Sequence, residues 1–371
     1  MADNWMRRYV MKCGVVGQKG FQIGNINNAK ETALHICFSI EKSDAENPND
    51  AKVQIWNLSD THLKMLESKD CVVELRAGYG ETMALVLVGN VTSAITTMEN
   101  ADRLTELTVV DGYVELRDTV LTISLNGKVN SKDIYQTIAN EMGMSIVFAK
   151  DLTFQTIPNG FSYVGKAKNA LQKIANYGGH KWTIQNQVIQ ITLPNRAVNT
   201  MGYLLSSETG LLGIPRRITL ETGDTSQVGW EVEYLLNGAI GINDVVKLKS
   251  SMANGYFRVC KVTIDGDNFD GDWICTAQLI EIEVDTELDI KVEKATENIT
   301  NTYINKGDKV KVTRTFTENG KKKGYQYNGG TFVCWHDTYD VIQRKEERVV
   351  IGIGERVTAA VHVNDIIKVK G

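Results

Sequence analysis

Residues 52–66 read KVQIWNLSDTHLKML, and this stretch decides how the first third of the chain folds. Lys52 to Trp56 alternate polar and apolar side chains, the signature of a strand with one buried face. Val53 and Ile55 then point one way, Gln54 and Trp56 the other. Ser59 stands where a helix N-cap belongs, and Asp60 in the first turn meets the helix dipole. Leu63, Met65 and Leu66 supply a short apolar stripe. The reading is a strand that turns directly into a short helix, which can lie over the open end of a barrel.

Working outward, VVELR at 72–76 and MALVLV at 83–88 resume the strand pattern around a Gly78-Tyr79-Gly80 turn. RLTELTVV at 103–110 is another strand signal, ending at Asp111-Gly112. Upstream, residues 8–16 and 32–42 read as strands, with Leu34, Ile36, Phe38 and Ile40 alternating strictly. SDAENPND at 43–50 is a polar connection. Residues 1–120 are thus expected to form a first small β-barrel domain.

The pattern changes over residues 121–200. In SKDIYQTIANEMG, Ile134, Ile138 and Met142 share one helical face, with Ser131 as cap and Gly143 as terminator. SIVFA is a short strand. KAKNALQKIANYGG is a second helix, with Ala167, Leu171 and Ile174 inward and Gly178 at its end. KWTIQNQVIQI is a hairpin around residues 185–187. The expectation is an α+β insertion of αβαββ order.

Residues 204–217 read as a connector, and a second β run follows: RRITLE, WEVEYLL, DVVKLKS, YFRVCKVTI and DWICTAQLIEI. Residues 201–283 are expected to form a second small β-barrel domain. The polar segment at 284–302 reads as a linker. Residues 303–371 carry short strands whose spacing predicts an SH3-like barrel. The fold class expected is therefore mainly β, with one α+β insertion.

Composition narrows the function. Net charge is −4, so the chain lacks the basic excess of a tight nucleic-acid binder, and no specific nucleic-acid binding is expected. No stretch approaches the roughly 20 apolar residues that cross a bilayer, and the first residues lack a signal-peptide core. The expectation is a protein made in a bacterial cytoplasm, with no membrane partner. The six cysteines form no CxxC pair. They read as buried free thiols, and their spacing predicts neither a zinc site nor a disulfide framework.

Motifs for catalysis fail on inspection. GFSYVGKA at 160–167 approaches a phosphate-binding loop, but Ala167 replaces the hydroxyl that would hold magnesium, and no buried apolar strand precedes it. GIGERV at 352–357 completes no dinucleotide fingerprint. DGDNFDGD at 265–272 crowds four aspartates together, yet the EF-hand order is broken, and a hairpin loop is the reading. Cys334, His336 and His362 lack the surroundings of a thiol peptidase. No catalytic residue, cofactor site or metal site is expected. Lys321-Lys322-Lys323, with Tyr325 and Tyr327 nearby, reads as a solvated turn.

IWNLS with its helix, followed by VELRAGYG and VLVGNV, resembles the first domain of baseplate hub proteins. These are the late control protein D type, from contractile phage tails and related phage-like particles. The likeness covers roughly residues 1–283. It is carried further by VVDG at 109–112, the helix-rich insertion, SSETGLLGIP at 206–215 and GDN...GDW at 266–273. The resemblance implies two β-barrel domains per chain and a homotrimer whose pseudo-sixfold ring joins a tail tube to a central spike around the channel. Other baseplate subunits and the tape measure protein are the further partners it implies, and a virion or phage-like particle is the location. Residues 303–371 look like the SH3-like domains at the ends of phage lytic proteins. Tyr325, Tyr327, Trp335 and Tyr339 are the aromatic candidates for a ligand surface there. A tail protein that binds or degrades cell wall is the alternative reading.

Overall fold

The structure is a computed structural model. It describes residues 6–282, 292–294 and 304–369, apart from 29–30, 47, 81, 151, 195, 199–201, 223–224, 305, 314, 319–320, 328, 346–347, 355 and 363–364. The chain is mainly β and divides into two compact units, Met1–Ala295 and Thr296–Gly371.

The first run of strands is β1 (Arg7–Val15), β2 (Phe21–Gly24), β3 (Ile36–Ser43) and β4 (Asp50–Trp56), then β5 (Cys71–Tyr79), β6 (Thr82–Glu99) and β7 (Asp102–Val110). Between β4 and β5 lies helix α1 (Asp60–Leu66). The opening stretch folds as its pattern dictates. Val53 and Ile55 are fully buried while Gln54 and Trp56 are half-exposed. Ser59 Oγ accepts the His62 amide at 3.3 Å and caps α1, whose Leu66 enters the core. The strands pair antiparallel in the order β2-β1-β5-β6-β7-β4-β3. β6 is 18 residues long, so its first half pairs with β5 and its second with β7. Register shifts at Leu75/Arg76 and Val91/Ser93 are bulges that bend it between partners.

The insertion opens with α2 (Tyr113–Asp118), which the pattern did not reveal, then β8 (Val120–Leu125), β9 (Val129–Asn130) and α3 (Ser131–Met142). β10 (Ser145–Phe148), β11 (Thr156–Ile157), β12 (Phe161–Lys166), α4 (Ala167–Gly178), β13 (Lys181–Gln185) and β14 (Val188–Thr192) complete it. The expected αβαββ order is α3-β10-α4-β13-β14. Added to it is the antiparallel ribbon β8–β12, which absorbs the GFSYVGK stretch. β10 runs parallel to β14, and β13 pairs with β14 as a hairpin. Asn130, not Ser131, caps α3 by accepting the Lys132 amide at 2.8 Å. Gly179, not Gly178, takes the left-handed position that ends α4. The expected inward residues Ile134, Ile138, Met142, Ala167, Leu171 and Ile174 are all buried in a core of the insertion's own.

The second run is β15 (Gly202–Leu205), β16 (Leu211–Thr222), β17 (Thr225–Leu235), β18 (Val245–Lys249), β19 (Asn254–Asp267), β20 (Trp273–Glu281) and β21 (Val292–Lys294). Much of the expected 204–217 connector is therefore strand. β15 runs parallel to β18 and to β21, the latter falling in the expected 284–302 linker, most of which lies outside the described residues. β19 is the seam of the unit. Residues 254–258 pair with β18; beyond a register shift at Val259/Lys261, residues 261–267 pair with β3. The two runs thus share one continuous sheet and one apolar core, from Tyr9 and Met11 to Ala277 and Leu279. The sheet also folds back on itself. Tyr79 Oη donates to the Trp273 carbonyl at 3.1 Å, and Trp273 Nε1 donates to the Gly78 carbonyl at 3.2 Å.

The second unit holds β22 (Lys309–Val312), β23 (Thr315–Glu318), β24 (Lys321–Tyr325), β25 (Thr331–Val333), β26 (Tyr339–Lys345), β27 (Arg348–Ile353), β28 (Arg356–His362) and β29 (Ile366–Lys368). They form an antiparallel sheet β28-β27-β26-β22-β29 and a second, β23-β24-β25, around a core that includes Val310, Phe332, Val349 and Val361. The lysine run is a strand, β24, and not the turn expected.

Candidate functional site

The insertion and the shared sheet bury separate apolar cores, so their relative position rests on polar contacts. The β13–β14 turn is the point of attachment. Asn186 and Gln187 have φ of 51° and 62°, the paired positive values of a type I′ hairpin turn. Asp111, at the end of β7, accepts the amide of Asn186 on Oδ2 at 2.5 Å and that of Gln187 on Oδ1 at 2.8 Å. Lys42 Nζ donates to Asn186 Oδ1 at 2.7 Å. Asn49 Nδ2 donates to the Ile184 carbonyl at 2.9 Å and to Gln185 Oε1 at 3.1 Å. Gln185 Nε2 returns a bond to the Ser43 carbonyl at 2.9 Å. Next to Asp111, a Cβ on Gly112 would lie 3.2 Å from Ile184, and φ there is 65°, so glycine suits this close approach.

Burial sets the electrostatics of this joint. It raises the Asp111 carboxyl to about 6, against the amides of Gln187 and Asn186 and the charge of Lys42, which pull it down. Burial lowers the Lys42 ammonium to about 8, opposed by the charge of Asp111.

A second tie runs through Asp44. Its Oδ2 accepts from Arg258 Nη1 at 2.6 Å and lies 3.6 Å from Lys181 Nζ. Arg258, on β19, has a side chain only 2% exposed and also donates to Asn243 Oδ1 at 2.8 Å. Asn243 Nδ2 donates to Gln190 Oε1 at 3.0 Å. One carboxylate therefore joins the β3–β4 connection, the seam strand and the insertion.

At the far end of the seam stand His35, Cys37 and Asp267. His35 Nε2 lies 3.0 Å from Asp267 Oδ1, Cys37 Sγ 3.1 Å from Asp267 Oδ2, and the sulfur 3.6 Å from the imidazole nitrogen. Burial, then the hydrogen bond and charge of Asp267, push the Cys37 thiol up to about 12. Burial acts on Asp267 in the same upward sense. Donors at Cys37, the Phe269 and Asp270 amides and His35 outweigh it and hold the carboxyl below its ordinary range. A protonated thiol is no nucleophile. This grouping escaped sequence reading because Asp267 is 230 residues from Cys37. DGDNFDGD is the β19–β20 hairpin loop expected.

In the second unit the four aromatic candidates separate. Trp335 is 67% exposed, with Lys321 Nζ 5.3 Å from its ring centroid; Tyr325 and Tyr327 are partly exposed, and Tyr327 stacks on His362. Tyr339 is 1% exposed and packs edge-on to Phe332, so it is a core residue, which corrects its place among the surface candidates. Burial raises the Cys334 thiol, unlike an activated nucleophile. Among the described residues, no helix is long and apolar enough to cross a membrane.

The 43 kDa tail protein of prophage MuSo2 from Shewanella oneidensis is similar at 10% identity and a TM-score of 0.47, over 74% of this chain and 98% of that one. A tail protein from Neisseria meningitidis MC58 is similar at 12% identity and a TM-score of 0.47, over 74% and 96%. The Escherichia coli c3393 protein is described as a type VI secretion component with structural similarity to T4 tail proteins gp27 and gp5. It is similar at 10% identity and a TM-score of 0.48, over 91% and 98%. No curated protein matches the chain. The family described as baseplate hub gp41 matches residues 18–278, well over half of the 371, and the chain belongs to that family of structural tail proteins.

Proposed function

We propose that the chain is a homotrimeric symmetry adaptor that joins a sixfold tail tube to a threefold central spike around the channel. The observation that carries this reading is the pair of strand runs, β1–β7 and β15–β20, set side by side through one ladder between β3 and β19. Each protomer offers two β surfaces to the tube, so three protomers offer six. Each run acts as a barrel-like hub domain, the two fused along the seam rather than closed separately. The polar joint fixes the insertion against them. No reaction is assigned: the role is assembly, with spike, tube, tape measure and neighbouring baseplate subunits as partners.

The second unit acts as an SH3-like docking domain, with Trp335, Tyr325 and Tyr327 as its contact face. Light scattering of the full chain, alone and with tube and spike proteins, tests the main reading. A trimer that captures both supports it; a strict monomer that joins neither overturns it. Retention of the full chain on peptidoglycan, lost on removing residues 303–371, would instead favour the cell-wall role.

A further inference from the structure

We propose that His35, Cys37 and Asp267 form a binding site for one divalent transition-metal ion of the zinc type, which staples the β3–β19 seam. The donor set is one imidazole nitrogen, one sulfur and one carboxylate, and these three suit Zn²⁺ among the common ions. The donor atoms all lie within 4.8 Å of one another. The closest separations are 3.0, 3.1 and 3.6 Å. A tetrahedral zinc with bonds of roughly 2.0–2.3 Å sets its ligands about 3.3–3.6 Å apart. Opening the cluster by about half an ångström admits the ion.

The backbone that carries these ligands is held from several sides, as a metal site requires. Cys37 and Asp267 are directly opposed in the β3–β19 ladder. His35 and Cys37 are two residues apart in extended chain, so both face the same way. Trp56 stacks on His35 with centroids 4.0 Å apart and fixes the ring. Asp267 Oδ1 accepts the Phe269 amide at 2.8 Å and the Asp270 amide at 3.2 Å, which orients the carboxylate. Asn268 latches the hairpin to the start of β3: Oδ1 accepts the Ile36 amide at 2.8 Å, and Nδ2 donates to the Leu34 carbonyl at 3.1 Å. Arg7 donates to the Asp267 carbonyl at 2.6 Å and the Gly271 carbonyl at 2.7 Å. On binding, the Cys37 thiol proton leaves to solvent, and His35 carries its proton on Nδ1 so that Nε2 offers its lone pair. Solvent completes the coordination. The ion would tie together segments 230 residues apart, at the ladder that, among the described residues, joins the two strand runs.

The test is titration of the tag-free full chain with Co²⁺ and, separately, Zn²⁺, after stripping with chelator. The expected result is one ion per chain with thiolate-to-cobalt charge-transfer absorption, displaced by Zn²⁺. Cys37→Ser and His35→Ala abolish the band, Asn268→Ala weakens Co²⁺ about tenfold, and Cys334→Ser leaves it unchanged. No stoichiometric ion in the unaltered chain, a result independent of how the variants fold, overturns the proposal. So does a band that survives Cys37→Ser or vanishes in Cys334→Ser.

Discussion

Asp44→Ala tests the polar joint directly. Arg258 is buried and a guanidinium does not shed its proton, so removing Asp44 strands a full positive charge. Breaking a buried pair in this way costs about 3–5 kcal/mol. Two features place this site near the lower end. Arg258 keeps its bond to Asn243 Oδ1, and the Asp44 side chain is 18% exposed, so water enters the space it leaves. The expected loss is about 3 kcal/mol. Arg258→Met alone leaves Asp44 with Lys181 and solvent, and costs about 1–2 kcal/mol. The double variant Asp44→Ala/Arg258→Met leaves no buried charge, and its cost falls below the sum of the two by at least about 1.5 kcal/mol. Urea unfolding of the four proteins measures the coupling, and amide exchange of residues 181–190 locates it. Strict additivity, or an Asp44→Ala loss under about 1 kcal/mol, would refute the idea that this carboxylate holds the insertion in place.

Gln187→Gly removes a left-handed strain that a side-chain-bearing residue carries at φ 62°, and raises stability by about 0.5–1 kcal/mol in urea unfolding. Gly266→Ala puts a methyl 2.1 Å from Phe38 Cζ at the seam. Phe38 must then shift, at a cost of about 1–3 kcal/mol, and near-ultraviolet circular dichroism reports the displaced Phe38–Trp273 contact. The Asp111 carboxyl has a folded value of about 6 against an ordinary 3.8, so its contribution to stability is present below about pH 4 and lost as pH rises through 6. Lys42, lowered to about 8, is charged throughout that range and does not alter the slope. The unfolding free energy from urea denaturation of the unaltered chain, minus that of Asp111→Asn, is therefore expected to fall by about 2–3 kcal/mol between pH 4 and 7.

What the sequence made legible is what local physics encodes. KVQIWNLSDTHLKML carries its alternation and its cap within fifteen consecutive residues, and β4, Ser59 and α1 follow from them. The faces of α3 and α4 repeat at helical spacing and are buried as their spacing demands. VLTISL at 120–125 also alternates, so β8 had a readable signal, and YDVIQ places Tyr339 and Val341 on one inward face. The seam had no such signal. Nothing in YFRVCKVTI names ICFSIEKS as its partner, because register between distant strands depends on the whole sheet. His35, Cys37 and Asp267 meet only because that ladder forms. The same holds for Asp111 and the Asn186-Gln187 turn, which are 75 residues apart. Capping reads one residue off where two polar or two glycine neighbours compete, as at Asn130-Ser131 and Gly178-Gly179.

The division between apolar cores and polar joints bears on the work of a hub. Apolar surface is nearly indifferent to direction, so two elements joined by it alone can slide or rotate at small cost. Hydrogen bonds and buried ion pairs hold only in a narrow range of geometry. In this chain the apolar residues build the shared sheet and the insertion separately, while Asp111, Asn49, Asp44 and Arg258 set the angle between them. In the trimer proposed above, a subunit that presents the same surfaces three times around one axis needs a fixed angle more than added stability. Replacing the joint with apolar residues would then leave the folded unit about as stable but let the insertion rotate. On the proposed role, the loss would appear first in assembly with the tube and spike, not in urea unfolding.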